Sequence, residues 1–221
     1  MLPTGYPPQN KRPTQTENEG LETNFPSKRT EKKAGVAILI SDKIDFKKRA
    51  IKRDPEGHFI ILKGRIHQED TIIVNIYAPN IGPPKYIKKI LEDFKKDIDS
   101  NTIIVDFNTP LSKMDRSSKQ NINKDIVALN NALDEMDLTD IQRAFHCKEA
   151  KYTFLSNVHG TFTKIDHMIG HKTSLNKFEE IEIISSIFSN HKGLKLKTSL
   201  KEKNSKHSNL WRLNSMLLNN E

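Results

Sequence analysis

Asp106 and Asn108 close the run NTIIVDFNTPLS (101–112), where an aliphatic segment gives way at once to a carboxylate, an aromatic ring and an amide. Side chains alternate faces in an extended chain, so the spacing predicts Asp106 and Asn108 on one side of a strand's exit and Phe107 turned back to the core. One such tripeptide is as readily a turn, because Asp, Asn, Thr and Pro all favour turns. Other apolar runs are flanked in the same manner. NIYAPN puts Tyr77 and Asn80 after one, KIDHMIG sets Asp166 and His167 before another, and FSNHKGL places Asn190 and His191 ahead of a third. Hydrolysis of a phosphodiester needs a hard divalent cation held by carboxylates, an activated water, and donors for the charge that builds on phosphate. Asp, Asn and His are the residue types for that work. Taken singly, Tyr77 reads as a core aromatic and each histidine as a hydrogen-bonded one. Their occurrence together in this order singles them out.

The elements that must position these residues alternate between strands and single helices. The segment 1–31 is rich in Pro, Thr, Asn, Gln and Glu without a hydrophobic period, and is expected to be disordered. Order is expected from AGVAILIS (Ala34 to Ser41), followed by GHFIILKGRI and DTIIVNIYAP, three successive strands that suggest a meander. Ile87, Ile90, Leu91, Phe94 and Ile98 recur at helical spacing behind Pro83 and Pro84, which predicts an amphipathic helix. After the strand TIIV, a second helix is expected with Ile126, Leu129, Leu133 and Met136 on one face. KYTFLS and TFTKIDHMIG then read as strands, and EEIEIISSIFSNHKGLKLKTSL closes a domain spanning 32–200 with two more. Residues 201–221 form a lysine-rich connection to a short helical stripe of Leu210, Leu213, Met216 and Leu217. Strands outnumber helices, which favours an α+β or mixed α/β sandwich over a doubly wound fold.

Composition narrows the functions. The chain has 221 residues, enough for one domain with a real core, and its hydrophobic share is 35% against 29% charged. No apolar run approaches the ~20 residues of a membrane helix. The first residues lack the apolar stretch of a secretory signal, and Cys147 is the only cysteine, so an intracellular, non-secreted protein is expected. The formal net charge of +8 suits a polyanionic partner, although lysines such as Lys88, Lys89, Lys95 and Lys96 sit beside acidic neighbours on a solvated helix face. That abundance of lysine does not separate a nuclear address from a solvated surface.

KKAGVAILIS, NIYAPN, DFNTPLS, YTFLS, KIDHMIG and the closing SNH together resemble the endonuclease domain of the polyproteins of LINE-type retrotransposons, a branch of the endonuclease/exonuclease/phosphatase superfamily. The resemblance runs from about Lys32 to the C-terminus, where WRLNSMLLN resembles the segment that follows the nuclease. It implies a four-layered α/β sandwich, two sheets flanked by helices, that nicks DNA with Mg²⁺ and no small-molecule cofactor. Carried over to this chain, it implies Tyr77 as a hydroxyl near the phosphate and Asp106 as the group that orients or deprotonates water. Asn108 would be a phosphate ligand, and His191 would stabilise the scissile phosphate with Asn190 beside it. Asp166 would organise the metal and phosphate with Asp106, while Arg116, Thr153 and Thr163 would line the DNA-binding surface.

Three departures bear on activity. The family begins with two further strands, one carrying a metal-binding glutamate, where this chain has a Pro-rich segment; Glu19, Glu22 and Glu31 follow no apolar strand. The principal metal ligand and those strands are therefore expected to be missing, which would expose sheet edges. The family's glycine before Asp-Phe-Asn is absent, so Val105 runs straight into Asp106. A β-branched residue resists the positive φ that glycine accepts. Asn190 stands where the family has an aspartate, and an amide carries no charge to stabilise an imidazolium. The expectation is an impaired or inactive nuclease, with a non-catalytic nucleic-acid-binding remnant as the alternative.

Overall fold

The computed structural model describes residues 35–67, 69–118, 121–156, 160–187 and 189–199, with the backbone alone of two short strands at 23–26 and 210–212. Strand β1 (Thr23–Pro26) pairs antiparallel with β2 (Ala37–Ile40). β3 (Phe46–Arg53), β4 (Phe59–Ile66) and β5 (Glu69–Ile76) form an antiparallel meander. Helix α1 (Pro83–Asp93) crosses over to β6 (Thr102–Val105), which lies parallel to β5. Then come α2 (Lys124–Glu135), β7 (Leu138–Asp140), α3 (Ile141–Phe145), the β8 (Phe154–Ser156) and β9 (Thr161–Thr163) hairpin, and β10 (Met168–His171). β11 (Phe178–Ile184), β12 (Gly193–Thr198) and β13 (Leu210–Arg212) make a small antiparallel sheet.

The central sheet has six strands in the order β3-β4-β5-β6-β10-β7. Its middle strands are apolar on both faces, as burial on both sides requires. Ile61, Ile72, Val74, Ile76, Ile104 and Ile169 pack under α1 and α2, against Ile87, Leu91, Leu129 and Leu133. On the opposite face Ile60, Leu62 and Ile73 meet Val36, Ile38 and Ile40 of the β2 segment, while Val105 and Met168 meet Phe178, Ile181, Leu194 and Leu196. The expected mixed α/β sandwich is present, with its second strand layer divided into small sheets. Between its pieces lies a cavity of about 80 Å³ lined by Ile73, Ile103, Val105, Met168 and Leu196. The buried Thr198 hydroxyl on that wall has no hydrogen-bond partner among the described residues.

Both long helices follow their sequence signals. Pro83 and Pro84 occupy the first turn of α1, where no backbone N–H is needed, and Asn123 caps α2 by accepting from the Ile126 N–H at 2.9 Å. Several elements differ from expectation. AILI pairs with β1 rather than entering the meander, whose first strand is FKKRAIKR. That strand escapes a hydrophobic-pattern reading because it is the sheet's edge, where exposed lysines and arginines discourage pairing with another chain. β1 falls within 1–31, where no element is expected; the rest of that segment lies outside the described residues. Leu210–Arg212 is a strand paired to β12 rather than part of a helix, and 213–221 also lie outside them.

Gly170 shows how tightly the second layer sits on the sheet. A Cβ there would lie 2.9 Å from the Phe178 ring and 3.1 Å from Ile141 Cδ1. Gly170→Ala is expected to cost about 1–3 kcal/mol by overpacking, read as a lower urea midpoint. An unchanged midpoint would mean that β11 moves away freely.

Candidate active site

Four chain segments meet at one end of the molecule because of strand direction and register. β5 and β6 run parallel, so Tyr77 and Asp106 leave the same edge of the sheet. β10 is antiparallel to β6 with Met168 opposite Val105, which sets Asp166 and His167 beside Asp106. His191 precedes β12 and forms a bridge with Phe154. Ligand sites of open α/β sheets gather at such carboxyl ends, where backbone direction changes and side chains converge.

The Asp-Phe-Asn segment reaches the expected disposition by another geometry. Phe107 is fully buried in the core, and Asp106 and Asn108 remain partly exposed. Yet the segment is not extended: φ is +64° at Asp106 and +46° at Asn108. The left-handed conformation falls on Asp and Asn, which tolerate it best after glycine, and not on Val105, which would resist it. The Asp106 N–H donates to the His167 carbonyl at 3.2 Å, and the Asn108 N–H donates to the Asp106 carboxylate. The Asn108 amide donates to the Asn80 Oδ1 at 3.2 Å and to the Ala78 carbonyl at 3.4 Å, joining the exits of β5 and β6.

Asp166 and His191 form the site's ion pair, with both carboxylate oxygens 3.1 Å from the His191 Nδ1. Asp166 is placed by its backbone. The hydroxyl of Thr153 accepts from the N–H groups of Ile165 and Asp166, each at 3.1 Å. His191 stacks at a tilt on Phe154, 4.7 Å between ring centres.

These groups hold protons unusually well. Burial and then the nearby charge of Asp166 push the Asp106 carboxyl up to about 7, against the opposing pull of His191 and the Asn108 N–H. Burial disfavours a charged His191, but the hydrogen bond and charge of Asp166, with Asp106 behind it, outweigh burial and raise its pKa. Both folded values lie above the ordinary ones, so the folded site binds protons that the unfolded chain releases. Its contribution to stability should therefore fall as pH rises from about 4 through about 7 for Asp106, and through the raised value for His191.

Asp106 and Asp166, near enough for the charge of one to raise the other, are hard oxygen donors of the kind that Mg²⁺ takes in combination with substrate phosphate and water. Among the described residues no group of three or more His, Cys, Asp and Glu is arranged to hold a metal ion. Asp106 and Asp166 are the two carboxylates that would take such an ion here, leaving phosphate and water to complete its coordination. Mg²⁺ is expected to raise the melting temperature more at about pH 8 than at about pH 5, because it binds the ionised carboxylates. Asp106→Asn should flatten that difference; an equal Mg²⁺ effect at both pH values would count against this site.

A buried ionic cluster, which pattern reading missed, underlies the loop. His167 is completely buried, its Nδ1 2.6 Å from the Asp140 Oδ2 and its Nε2 3.1 Å from the Thr109 carbonyl. Fully buried Lys164 donates to the same Asp140 oxygen at 2.5 Å and to Gln142 at 2.8 Å. The His167 carbonyl and ring thus hold both ends of the Asp106–Thr109 segment. Asp115 adds a second tie, accepting from the Leu111 and Ser112 N–H groups and from Arg143 at 2.6 Å. Asp140 caps α3 by accepting from the Arg143 N–H, so in sequence it reads only as a helix start.

The remaining expected residues divide. Thr153 is fully buried, so it lines no DNA-binding surface; its hydroxyl is consumed in placing Asp166. Thr163 lies partly exposed on β9 and bridges to Arg116, bringing both to the hairpin's edge. Tyr77 packs half-buried against the Val36–Ile40 cluster, one residue before the carbonyl that Asn108 holds. Asn190 is exposed and gives its carbonyl to the Leu155 N–H.

The architecture matches the endonuclease/exonuclease/phosphatase fold. No protein-family model matches the sequence. The structure is similar to the endonuclease domain of TRAS1, a telomere-specific non-LTR retrotransposon, with TM-score 0.59 at 14% identity over 75% of this chain and 74% of that one. It is also similar to a 3'-5' exonuclease from Neisseria meningitidis, with TM-score 0.54 at 16% identity over 74% and 75%. An AP endonuclease from Archaeoglobus fulgidus gives TM-score 0.51 at 16% identity over 72% and 71%. These similarities concern the fold, and nucleases share it.

Proposed function

We propose that this chain is a retrotransposon-derived, endonuclease-like domain that binds DNA at the Asp106, Asp166 and His191 end of its sheet. Its ancestral reaction is Mg²⁺-dependent hydrolysis of a phosphodiester, which it performs poorly. The observation that carries this reading is the meeting of a high-pKa carboxyl, a carboxylate–histidine pair and an amide pair at adjoining strand ends. A base is most effective with a pKa near the working pH, which suits Asp106 to accept a proton from water. His191, whose proton Asp166 helps to retain, would supply positive charge for a phosphate oxygen, and Asn80, whose Oδ1 accepts from Asn108, keeps its own amide N–H groups for another. Mg²⁺, when bound at Asp106 and Asp166, would neutralise phosphate charge and make water more acidic. Impairment follows from having two carboxylates where a fuller donor set would grip the ion, and from the uncharged Asn190.

Nicking of supercoiled plasmid tests the reading. Slow conversion to open circles with Mg²⁺ is expected, with none in EDTA. Cleavage that persists in EDTA would refute it. A second reading, DNA binding without chemistry, is favoured by the absence of a three-ligand metal group among the described residues. It predicts salt-dependent DNA affinity indifferent to EDTA and no nicking.

A further inference from the structure

On the far side of the β8–β9 hairpin lies an open hollow of about 470 Å³, lined by Ala150, Lys151, Tyr152, Phe162, Ile183 and Lys192. Phe162 is paired across the hairpin with Leu155, one residue out of phase with the Thr163–Phe154 pair whose phenylalanine packs on His191. Its ring therefore faces away from the ion pair. Phe162 is 44% exposed and belongs to none of the three core clusters. Tyr152 lies beside it with ring centres 6.0 Å apart and planes inclined by 31°. Both rings line the hollow, and Phe162 is open to solvent there.

Its rim is basic. Lys151 is paired to Glu149 at 2.6 Å, whereas Lys192 has no ion pair among the described residues. The Lys192 backbone N–H is anchored on the Thr153 carbonyl at 2.7 Å, so the residue is fixed while its ammonium stays available. Two neighbours in sequence tie the hollow to the site: Lys192 follows His191, and Phe162 precedes Thr163. Aromatic faces beside lysine are what unpaired nucleotides bind, since every base has a π-face and every linkage a charge.

We propose that this hollow is a subsite for an unpaired nucleotide of nucleic acid, its base stacked on Phe162 and Tyr152 and its phosphate against Lys192. The inference deepens the DNA-binding reading and rests on it. It assigns to the outer side of the hairpin a preference for single-stranded stretches next to the cleavage centre.

Fluorescence anisotropy with a labelled oligothymidylate and a labelled duplex, both in EDTA, tests it. Phe162→Ala is expected to weaken single-strand binding about tenfold and leave duplex binding within about twofold, and Phe162→Trp should restore it. Lys192→Gln should reduce the slope of log affinity against log salt for the single strand by about 0.7. Unchanged single-strand affinity in Phe162→Ala, or equal loss for both ligands, would overturn the subsite. Duplex binding without single-strand binding by the parent protein would overturn it alone, whereas binding of neither would also remove the DNA-binding reading.

Discussion

Asp166→Ala should lower plasmid nicking at least about a hundredfold, the scale of losing a positioned acid–base partner. Asp166 is bonded to one charged member of the site and acts on the other. Its oxygens hold the His191 Nδ1 at 3.1 Å, and its charge raises Asp106. Without it, burial, already the largest single influence on His191, loses its main opponent, so the His191 pKa should fall and less imidazolium be present at neutral pH. Asp106 loses its like-charged neighbour and should titrate below about 7, although burial still holds it up. NMR titration reads both shifts whether or not turnover is measurable. The backbone should stay in place because the Thr153 hydroxyl holds residues 165 and 166 by their N–H groups. Asp166→Asn keeps the shape and should lose nicking equally. Nicking by either variant at the parent's rate would locate the chemistry elsewhere.

The second large effect concerns stability. Asp140→Ala is expected to destabilise the fold by about 3–5 kcal/mol, since removing one member of a buried ion pair leaves its partners unpaired. Here the partners are Lys164 and His167, neither with measurable exposure. Burial would by itself raise the Asp140 carboxyl, but hydrogen bonds and charges from His167 and Lys164 hold it well below its ordinary range. A depressed folded value contributes stability that is present above the unfolded value and is lost as pH falls through the folded one. The parent protein should therefore lose stability below about pH 4, and Asp140→Ala should lack that part of the acid dependence. Urea titrations at two pH values measure both effects. Asp140→Leu with Lys164→Met should recover part of the loss, because an apolar pair of similar volume avoids the cost of burying charge. A loss below about 1 kcal/mol in Asp140→Ala would show that water reaches the cluster.

Pattern and chemistry agree closely for the elements whose burial is one-sided or complete. α1 and α2 carry their apolar residues at helical spacing, and β4, β5 and β6 are aliphatic on both faces. β3 was illegible because an edge strand spends its side chains on solvent, and α3 because five residues hold too little periodicity. The polar ends of the strands could likewise be picked out, since Asp106, Asn108, Asp166 and His191 each interrupt or flank an apolar run. Thr153 misled because a threonine before a strand looks the same whether it faces solvent or two backbone N–H groups.

The amino-acid sequence by itself determined the class of fold, the strands that would be buried and the residue types available for phosphate chemistry. Those properties are local, set by periodicity, turn chemistry and charge. Tertiary structure alone decided which polar residues meet. Asp166 reaches Asp106 through the Met168–Val105 register, His191 comes from just ahead of β12, 25 residues beyond Asp166, and Lys164 joins Asp140 across 24 residues. It also set left-handed backbone at Asp106 and Asn108. Contacts of that range, and the pKa values they set, depend on sheet order and register, and no short segment of the chain encodes either.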